Sequence, residues 1–400
     1  MKKDILESIT VLDLSRVLSA PYATMHLGDM GADVIKVEDT KTGDETRHIP
    51  PLISEGTSYY NISLNRNKRS ICIDLKSPDG HELVKGLAAK SDVIVSNFRP
   101  GVMDRLGLSY EQLRKVNPRI IYAVVSGYGT TGTLSQHAGY DVCAQAMSGI
   151  MSVTGEPDGE PTRVGVFIAD HLAGLNLEIG ILAALYEREF TGEGQYLEVA
   201  LTDAALSVTL PACSRIFASD ESPGRTGNID PGVAPSSCFQ ASDGKFVLSC
   251  GNQSLWERLC RQVLNCPELI EKPQYSDNAH RLEHNAELMH IVSEWAANKS
   301  VADCIRECSD AGLPCAPVWD LKQAYNSSFY REERRMFITV PTPDGAAADT
   351  LAQPIVFSSH PRRLRFPPPQ LGQHTDEILR QKLDIPQNII DAYHRMGVIK

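Results

Sequence analysis

The chain has 400 residues, 42% of them hydrophobic and 22% charged, the make-up of a globular protein with one very large domain or two. Acidic side chains outnumber basic ones by 50 to 39, and the formal charge of −11 argues against nucleic acid or an anionic membrane as the main partner. A local basic pocket for a phosphorylated ligand remains compatible with that balance.

The N-terminus, MKKDILESIT, has no apolar stretch behind its lysines, so no signal peptide is expected. ITVLDLS (9–15) reads as a strand, and Pro21 suits the first turn of a helix that stops near Gly31. ADVIKVE (32–38) and SICIDL (70–75) are further strands. Ser77-Pro78 opens a helix, and DVIVSNF (92–98) is a strand broken by Pro100-Gly101. Ser109 and Gln112 spell a capping box, and RIIYAVVSGYG (119–129) is a fifth strand. This alternation indicates βαβ units and a parallel sheet with helices on both faces, an α/β fold whose ligands sit beyond the carboxyl ends of the strands. Gly127, Gly129 and Gly132 spell G-x-G-x-x-G, but loop rather than helix follows, so no nicotinamide or flavin site is assigned.

Val164 to Ala169 is a short apolar run. A helix follows, with Leu172, Leu175, Ile179 and Leu182 on one stripe. Asp170 stands at the joint. It reads either as an N-cap held ionised by the helix dipole or as a carboxylate presented for chemistry. No apolar run is read as long enough to span a membrane. QYLEVAL (195–201) is a strand, and Thr202 reads as the cap of a helix. Ser, Gly and Pro cluster at 220–236, a linker or active-site loop into a second domain. CFQA and KFVLSC flank a hairpin turn at Ser242-Asp243-Gly244, helices run to about 311, and the Pro-rich end closes on a helix. His280 and His284 are expected on one helix face, with His290 beyond, and read as solvated rather than metal-binding. The ten cysteines, among them Cys304, Cys308 and Cys315, show no C-x-x-C and read as reduced thiols of a cytoplasmic protein. Asn97-Phe98-Arg99 at a strand end is either an ordinary loop or a set that stacks a purine and pairs with phosphate.

Over almost its whole length the chain resembles the class III CoA-transferases, which include the formyl-CoA:oxalate and carnitine enzymes and are related to the α-methylacyl-CoA racemases. The resemblance runs through GADVIKVE (31–38), GDETR (43–47), NKRS (67–70), NFRPG (97–101), NPR (117–119), AQAMSG (144–149), Ala169-Asp170, TGEGQ (191–195), GLPCAP (312–317) and LGQHT (371–375). It implies Asp170 as covalent nucleophile. It implies coenzyme A contacts at Ile73, Asp74, Lys76, Asn97, Phe98, Arg99, Arg105, His137 and Tyr140, with no metal and no tightly bound cofactor. It implies a Rossmann-like large domain over 1–220, a smaller α+β domain over 221–334 and a segment 335–400 returning to the large domain. It further implies an interlocked homodimer that uses acyl-CoA and a small carboxylic acid as substrates. The chain departs from the formyl-CoA transferases with Leu18 for Gln, Asp39 for Arg and Gly227-Asn228-Ile229-Asp230-Pro231 in place of a tetraglycine loop, which argues against formyl-CoA as donor. Tyr140 stands where the racemases carry a histidine base.

The implied chemistry is exchange of one thioester for another through an aspartyl anhydride and an aspartyl-CoA thioester. An ordinary carboxylate is ionised at neutral pH, so no general base is expected. Loop 227–232 is the expected moving part. An acyl-CoA racemase or isomerase and a non-catalytic CoA-binding protein are the alternative readings.

Overall fold

The computed structural model describes residues 3–54, 57–342 and 345–400. Met1 and Lys2 of the N-terminal stretch lie outside the described residues, as do Pro343 and Asp344 of the C-terminal segment. The chain forms two compact units. One comprises Met1–Met151, Arg163–Asp220 and Arg331–Lys400, and the other Ser152–Thr162 and Glu221–Tyr330. Residues 152–162, counted in the large domain from sequence, cluster with the second unit: Gly227 N–H donates to Gly155 O at 3.0 Å and Arg225 Nε to Glu156 O at 3.1 Å.

In the first unit the elements that place the site follow in chain order. They are β1 (Thr10–Asp13), α1 (Ser19–Asp29), β2 (Asp33–Glu38), β3 (Lys68–Cys72), α2 (Pro78–Ala89), β4 (Val93–Ser96), α3 (Tyr110–Val116), β5 (Ile121–Ser126), α4 (Asp141–Met147), α5 (Ile168–Thr191), β6 (Tyr196–Ala200), α6 (Thr375–Leu383) and α7 (Gln387–Met396). The six strands pair in parallel in the order β3-β2-β1-β4-β5-β6. The order reverses between β1 and β4, the switch point at which doubly wound sheets open a crevice.

Strand residues alternate between two cores. Val11, Val34, Val93, Val95 and Val125 face α1 and α5, while Leu12, Ile35, Ile94 and Val124 face α2, α3, α6 and α7. Each fully buried Val, Leu or Ile contributes about 1.5–3 kcal/mol, so this two-sided burial is what holds the sheet. The helix starts follow local chemistry. Ser77 accepts from Gly80 N–H with Pro78 in the first turn of α2, and Ser109 and Gln112 close the capping box of α3.

Local expectations are corrected at several points. β3 spans 68–72 rather than 70–75, because Lys68 and Arg69 look polar in sequence but are buried and ion-paired. The apolar run before α5 is irregular chain over Val164 to Phe167, where the Gln145 side chain accepts from Val164 N–H and donates to Val166 O. Ala200, not Thr202, is the N-cap of the helix Leu201–Ser207. The buried stripe of α5 is Ala169, Ala173, Leu177, Ile181 and Ala184, while Leu175 and Ile179 are exposed. A helix apolar nearly all round gives its core face no unique period. With 24 residues and a mean hydropathy of 1.4, α5 also has the length and composition of a membrane span, contrary to the sequence reading. Its inner stripe is packed on the sheet core.

In the second unit β7 (Ser236–Ala241), β8 (Gly244–Ser249) and β9 (Cys315–Pro317) form an antiparallel sheet in the order β9-β8-β7, with the expected hairpin at 242–244. Helices cover it around buried Phe246, Trp256 and Tyr275, which makes this unit α+β.

Candidate active site

β1 ends at Asp13 because Ser15 turns back on it: both the N–H, at 2.9 Å, and the hydroxyl of Ser15 bond to Asp13 Oδ1. The next residues are fixed from other strands. Lys36 Nζ donates to Ser15 O at 2.9 Å, Arg16 N–H to Asn97 Oδ1 at 2.8 Å, and Asn97 Nδ2 to Arg16 O at 2.6 Å. Val17 takes φ +68°, a costly conformation for a β-branched residue. This held loop delivers Leu18 and Ser19 to the start of α1.

Behind the loop lies a buried ionic lattice of three acids and three bases. Lys68 is 3.1 Å from Asp13, Lys36 2.8 Å from Asp44, and Arg47 2.7 Å from Glu38. Burial would raise the Asp13 carboxyl, but Lys68 and Lys36 outweigh it and hold it well below the usual carboxylate range. Burial pushes the Lys68 ammonium down to about 8 against the pull of Asp13.

Asp170 lies in the first turn of α5, three residues beyond the N-cap, Phe167. It is therefore not the cap. The acceptor for that turn is Asp141, at the start of α4, whose Oδ1 takes Ala169 N–H at 2.8 Å and Asp170 N–H at 3.3 Å. Its other oxygen takes Gln145 Nε2 at 2.6 Å, and Gln145 Oε1 takes Val164 N–H at 2.8 Å. The pair thus clamps the chain on both sides of the α5 start. Burial pushes the Asp170 carboxyl up to about 7, the Asp141 charge adds to this, and a hydrogen bond from Ser19 opposes it. This runs against the expectation of a fully ionised group, because burial and the Asp141 charge both favour the protonated form.

A cavity of about 610 Å³ opens at the carboxyl ends of the strands, with Asp170 in its wall. Of the residues named from sequence, Ile73, Asp74, Lys76, Asn97, Phe98, Arg99, His137 and Tyr140 also line it. Arg105 does not; it is exposed at the end of the helix Val102–Arg105. Asn97 lines the cavity with its amide engaged on both sides of Arg16, so it shapes the loop. The Arg16 guanidinium covers one face of the Phe98 ring at 4.7 Å. Lys76 and Arg99 are exposed, and this basic rim with Arg16 suits phosphates. Leu18 and Asp39 line the cavity too, and Asp39 accepts from Lys41 and Thr42 N–H, closing the turn after β2.

Of the glycines after β5, Gly127 has a packing role. A Cβ on Gly127 would stand 2.9 Å from Gly139 Cα, so the two backbones touch at the cavity wall. The histidines of the second unit do not share a face, because the helix breaks at His284. His280 pairs with Asp277 at 2.9 Å and His290 with Glu294 at 3.2 Å. Loop 227–232 also belongs to the second unit. All ten cysteines are free thiols.

Sequence reasoning missed Arg16, Ser19, Asp141 as the cap of α5, and Tyr60, whose phenol is pushed up to about 12 by burial and by the charge of Asp170. An acid opening a helix with Gln four residues on, as in Asp141 and Gln145, was the one available signal.

Residues 6–375 match CoA-transferase family III. The succinyl-CoA:glutarate CoA-transferase of Mus musculus is 36% identical over 396 residues, covering 99% of this chain and 90% of that protein. The acetyl-CoA:oxalate CoA-transferase of Acetobacter aceti is 40% identical over 321 residues, covering 80% and 82%. A solved CAIB/BAIF family protein from Brucella suis superposes with a TM-score of 0.83 at 36% identity, over 95% of this chain and 100% of that one. With a family match over nearly the full length and relatives of this identity and coverage, the chain belongs to CoA-transferase family III and is an enzyme of that class.

Proposed function

We propose that this enzyme moves coenzyme A from an acyl-CoA to a small dicarboxylic acid, with Asp170 as the covalent relay. The observation that carries the reading is Asp170 itself, a half-buried carboxylate in the wall of the cavity, beside the first turn of α1. Relatives named for glutarate and oxalate support the dicarboxylate class.

An ionised Asp170 oxygen attacks the thioester carbonyl, the C–S bond breaks, and CoA leaves as thiolate while a mixed anhydride forms. The thiolate attacks the aspartyl carbonyl and expels the donor acid, leaving an aspartyl-CoA thioester. The acceptor carboxylate then attacks that thioester, giving a new anhydride and free thiolate. Thiolate attack on the acceptor's acyl carbon releases the new acyl-CoA and the Asp170 carboxylate. Each step exchanges one activated acyl bond for another. The tetrahedral oxyanions need donors. The first-turn N–H groups of α1, beginning at Ser19, have no intrahelical acceptor and sit at the positive end of the helix, so they suit that role. Water must stay out, because it would hydrolyse the anhydride.

Exposed apolar side chains on the first unit, among them Ile179 at 64%, Tyr186 at 70% and Phe190 at 73%, support a homodimer that covers them. Succinyl-CoA and acetyl-CoA offered against oxalate, succinate, glutarate and monocarboxylates, with products read by mass, test the substrate class. Transfer confined to long-chain or branched acyl groups would refute it.

A further inference from the structure

A very close approach in the seam between α1 and α5 lies at Gly174, one helical turn from Asp170. A Cβ on Gly174 would stand 2.5 Å from Ser19 O and 3.2 Å from Tyr22 Cδ1. The first of these is backbone, so it cannot move without moving the start of α1. Further along the same seam, His26 Nδ1 lies 2.8 Å from Glu178 Oε2, with both side chains buried. Any wedge at 174 therefore tilts α1 about that pinned end and displaces its N-terminus, where Ser19 lines the cavity beside Asp170. We propose that Gly174 is a positioning residue for the transfer reaction: its missing side chain admits the start of α1 against α5, so that Ser19 and Asp170 stand together in the wall of one cavity.

The same helix supplies a contrast. Gly180 would meet only the flexible end of Leu197, at 3.3 Å. Both glycines sit inside a helix, where alanine is the better helix former. Only at 174 does a methyl group collide with backbone.

The consequence is a shift in the ionisation of Asp170. The titratable groups that face it are Asp141 from α4 and Tyr60 from the helix Tyr59–Asn65. Tyr22, His26, His171 and Glu178 follow along the seam. Asp141 and burial raise its carboxyl, and the Ser19 hydrogen bond lowers it. Losing that bond leaves the raising terms unopposed, so the acid limb of the rate profile moves to higher pH. Misplacing the nucleophile adds a loss that no pH restores.

The inference rests on Asp170 acting as nucleophile, and the experiment separates the two. The single-turnover rate of Asp170 acylation by succinyl-CoA is followed against pH for wild type, Gly174→Ala, Gly180→Ala, Ser19→Ala and the Gly174→Ala/Ser19→Ala double variant, with CoA affinity measured for each. Gly174→Ala and Ser19→Ala should both move the acid limb upward and slow acylation about tenfold or more below its midpoint, with CoA affinity within a few-fold of wild type. The double variant should add little to either, the signature of one shared interaction. Gly180→Ala should match wild type. A Gly174→Ala enzyme with an unshifted limb, or shifts that simply add in the double variant, overturns the inference. So does a Gly174→Ala chain that fails to fold while Gly180→Ala folds, since the glycine is then a packing residue only. Absence of any Asp170 adduct in wild type instead removes the reading on which the inference stands.

Discussion

Asp141 does two things to Asp170 that can be pulled apart by substitution. Its Oδ1 caps the first turn of α5 through Ala169 and Asp170 N–H, and its negative charge opposes ionisation of the Asp170 carboxyl. Asp141→Ala removes both. Loss of a capping acceptor costs about 1–2 kcal/mol, and stranding a buried donor such as Gln145 Nε2 costs about 1–3 kcal/mol. Gln145 keeps its longer contact to Val166 O at 3.4 Å, so the total is about 2–4 kcal/mol, enough to lower the melting midpoint by several degrees. Asp141→Asn keeps an oxygen for Ala169 N–H and removes the charge. It should cost less stability and move the acid limb of the transfer rate to lower pH, because the carboxylate form of Asp170 then persists further into acid. The sign follows from the direction of the perturbation: a neighbour that raises a carboxyl's pKa, once neutralised, lets it fall. The assay is thermal unfolding of both variants beside initial transfer rates across pH. An Asp141→Ala protein that melts with wild type refutes the cap, and an Asp141→Asn limb that moves upward refutes the electrostatic argument.

Gly127→Ala should force the cavity wall apart at Gly139, destabilise by about 1–3 kcal/mol and weaken CoA binding, checked by calorimetric titration. Lys76→Ala and Arg99→Ala, which change the cavity rim, should weaken CoA binding and flatten its salt dependence more than Arg105→Ala, whose side chain lies outside the lining. Lys68→Met should destabilise by about 3–5 kcal/mol, because it leaves the Asp13 carboxylate buried beside one fewer cation. Asp13, Glu38 and Asp44 are each held below the usual carboxylate range, in each case despite burial: by Lys68 and Lys36, by Arg47, and by Lys36. Their contribution is whole above the unfolded carboxylate range and is lost as pH falls through the folded values, so acid unfolding should begin below about pH 4. Sedimentation at micromolar concentration should show a dimer; a monomer refutes the proposed homodimer.

The sheet was legible because five of its strands are short apolar runs closed by polar or glycine residues, and the ligand crevice follows from their order. β3 was misplaced by two residues because a buried lysine and its acid partner cannot be told from a solvated pair in one sequence. Asp170 was legible as the residue at the joint before α5, but its environment was not. Asp141 reaches it across 29 residues, and Ser19 comes from the far end of the unit's first helix. Burial by residues distant in sequence is what turns an ordinary aspartate into one held near 7. The stripe of α5 misled because Leu175 and Ile179 on its exposed side are as apolar as the buried stripe.

The proposed reaction stands or falls on a covalent bond at Asp170. Wild-type enzyme is incubated with acyl-CoA, trapped with hydroxylamine or borohydride, digested and read by mass, beside Asp170→Asn and beside an α-deuterium exchange assay on a 2-methylacyl-CoA. Transfer through Asp170 should leave the peptide carrying Asp170 modified in wild type and unmodified in the variant, with CoA affinity within a few-fold between the two and no α-deuteration. An unmodified Asp170 peptide together with α-deuteration would contradict it and make the carboxylate a proton carrier of a racemase.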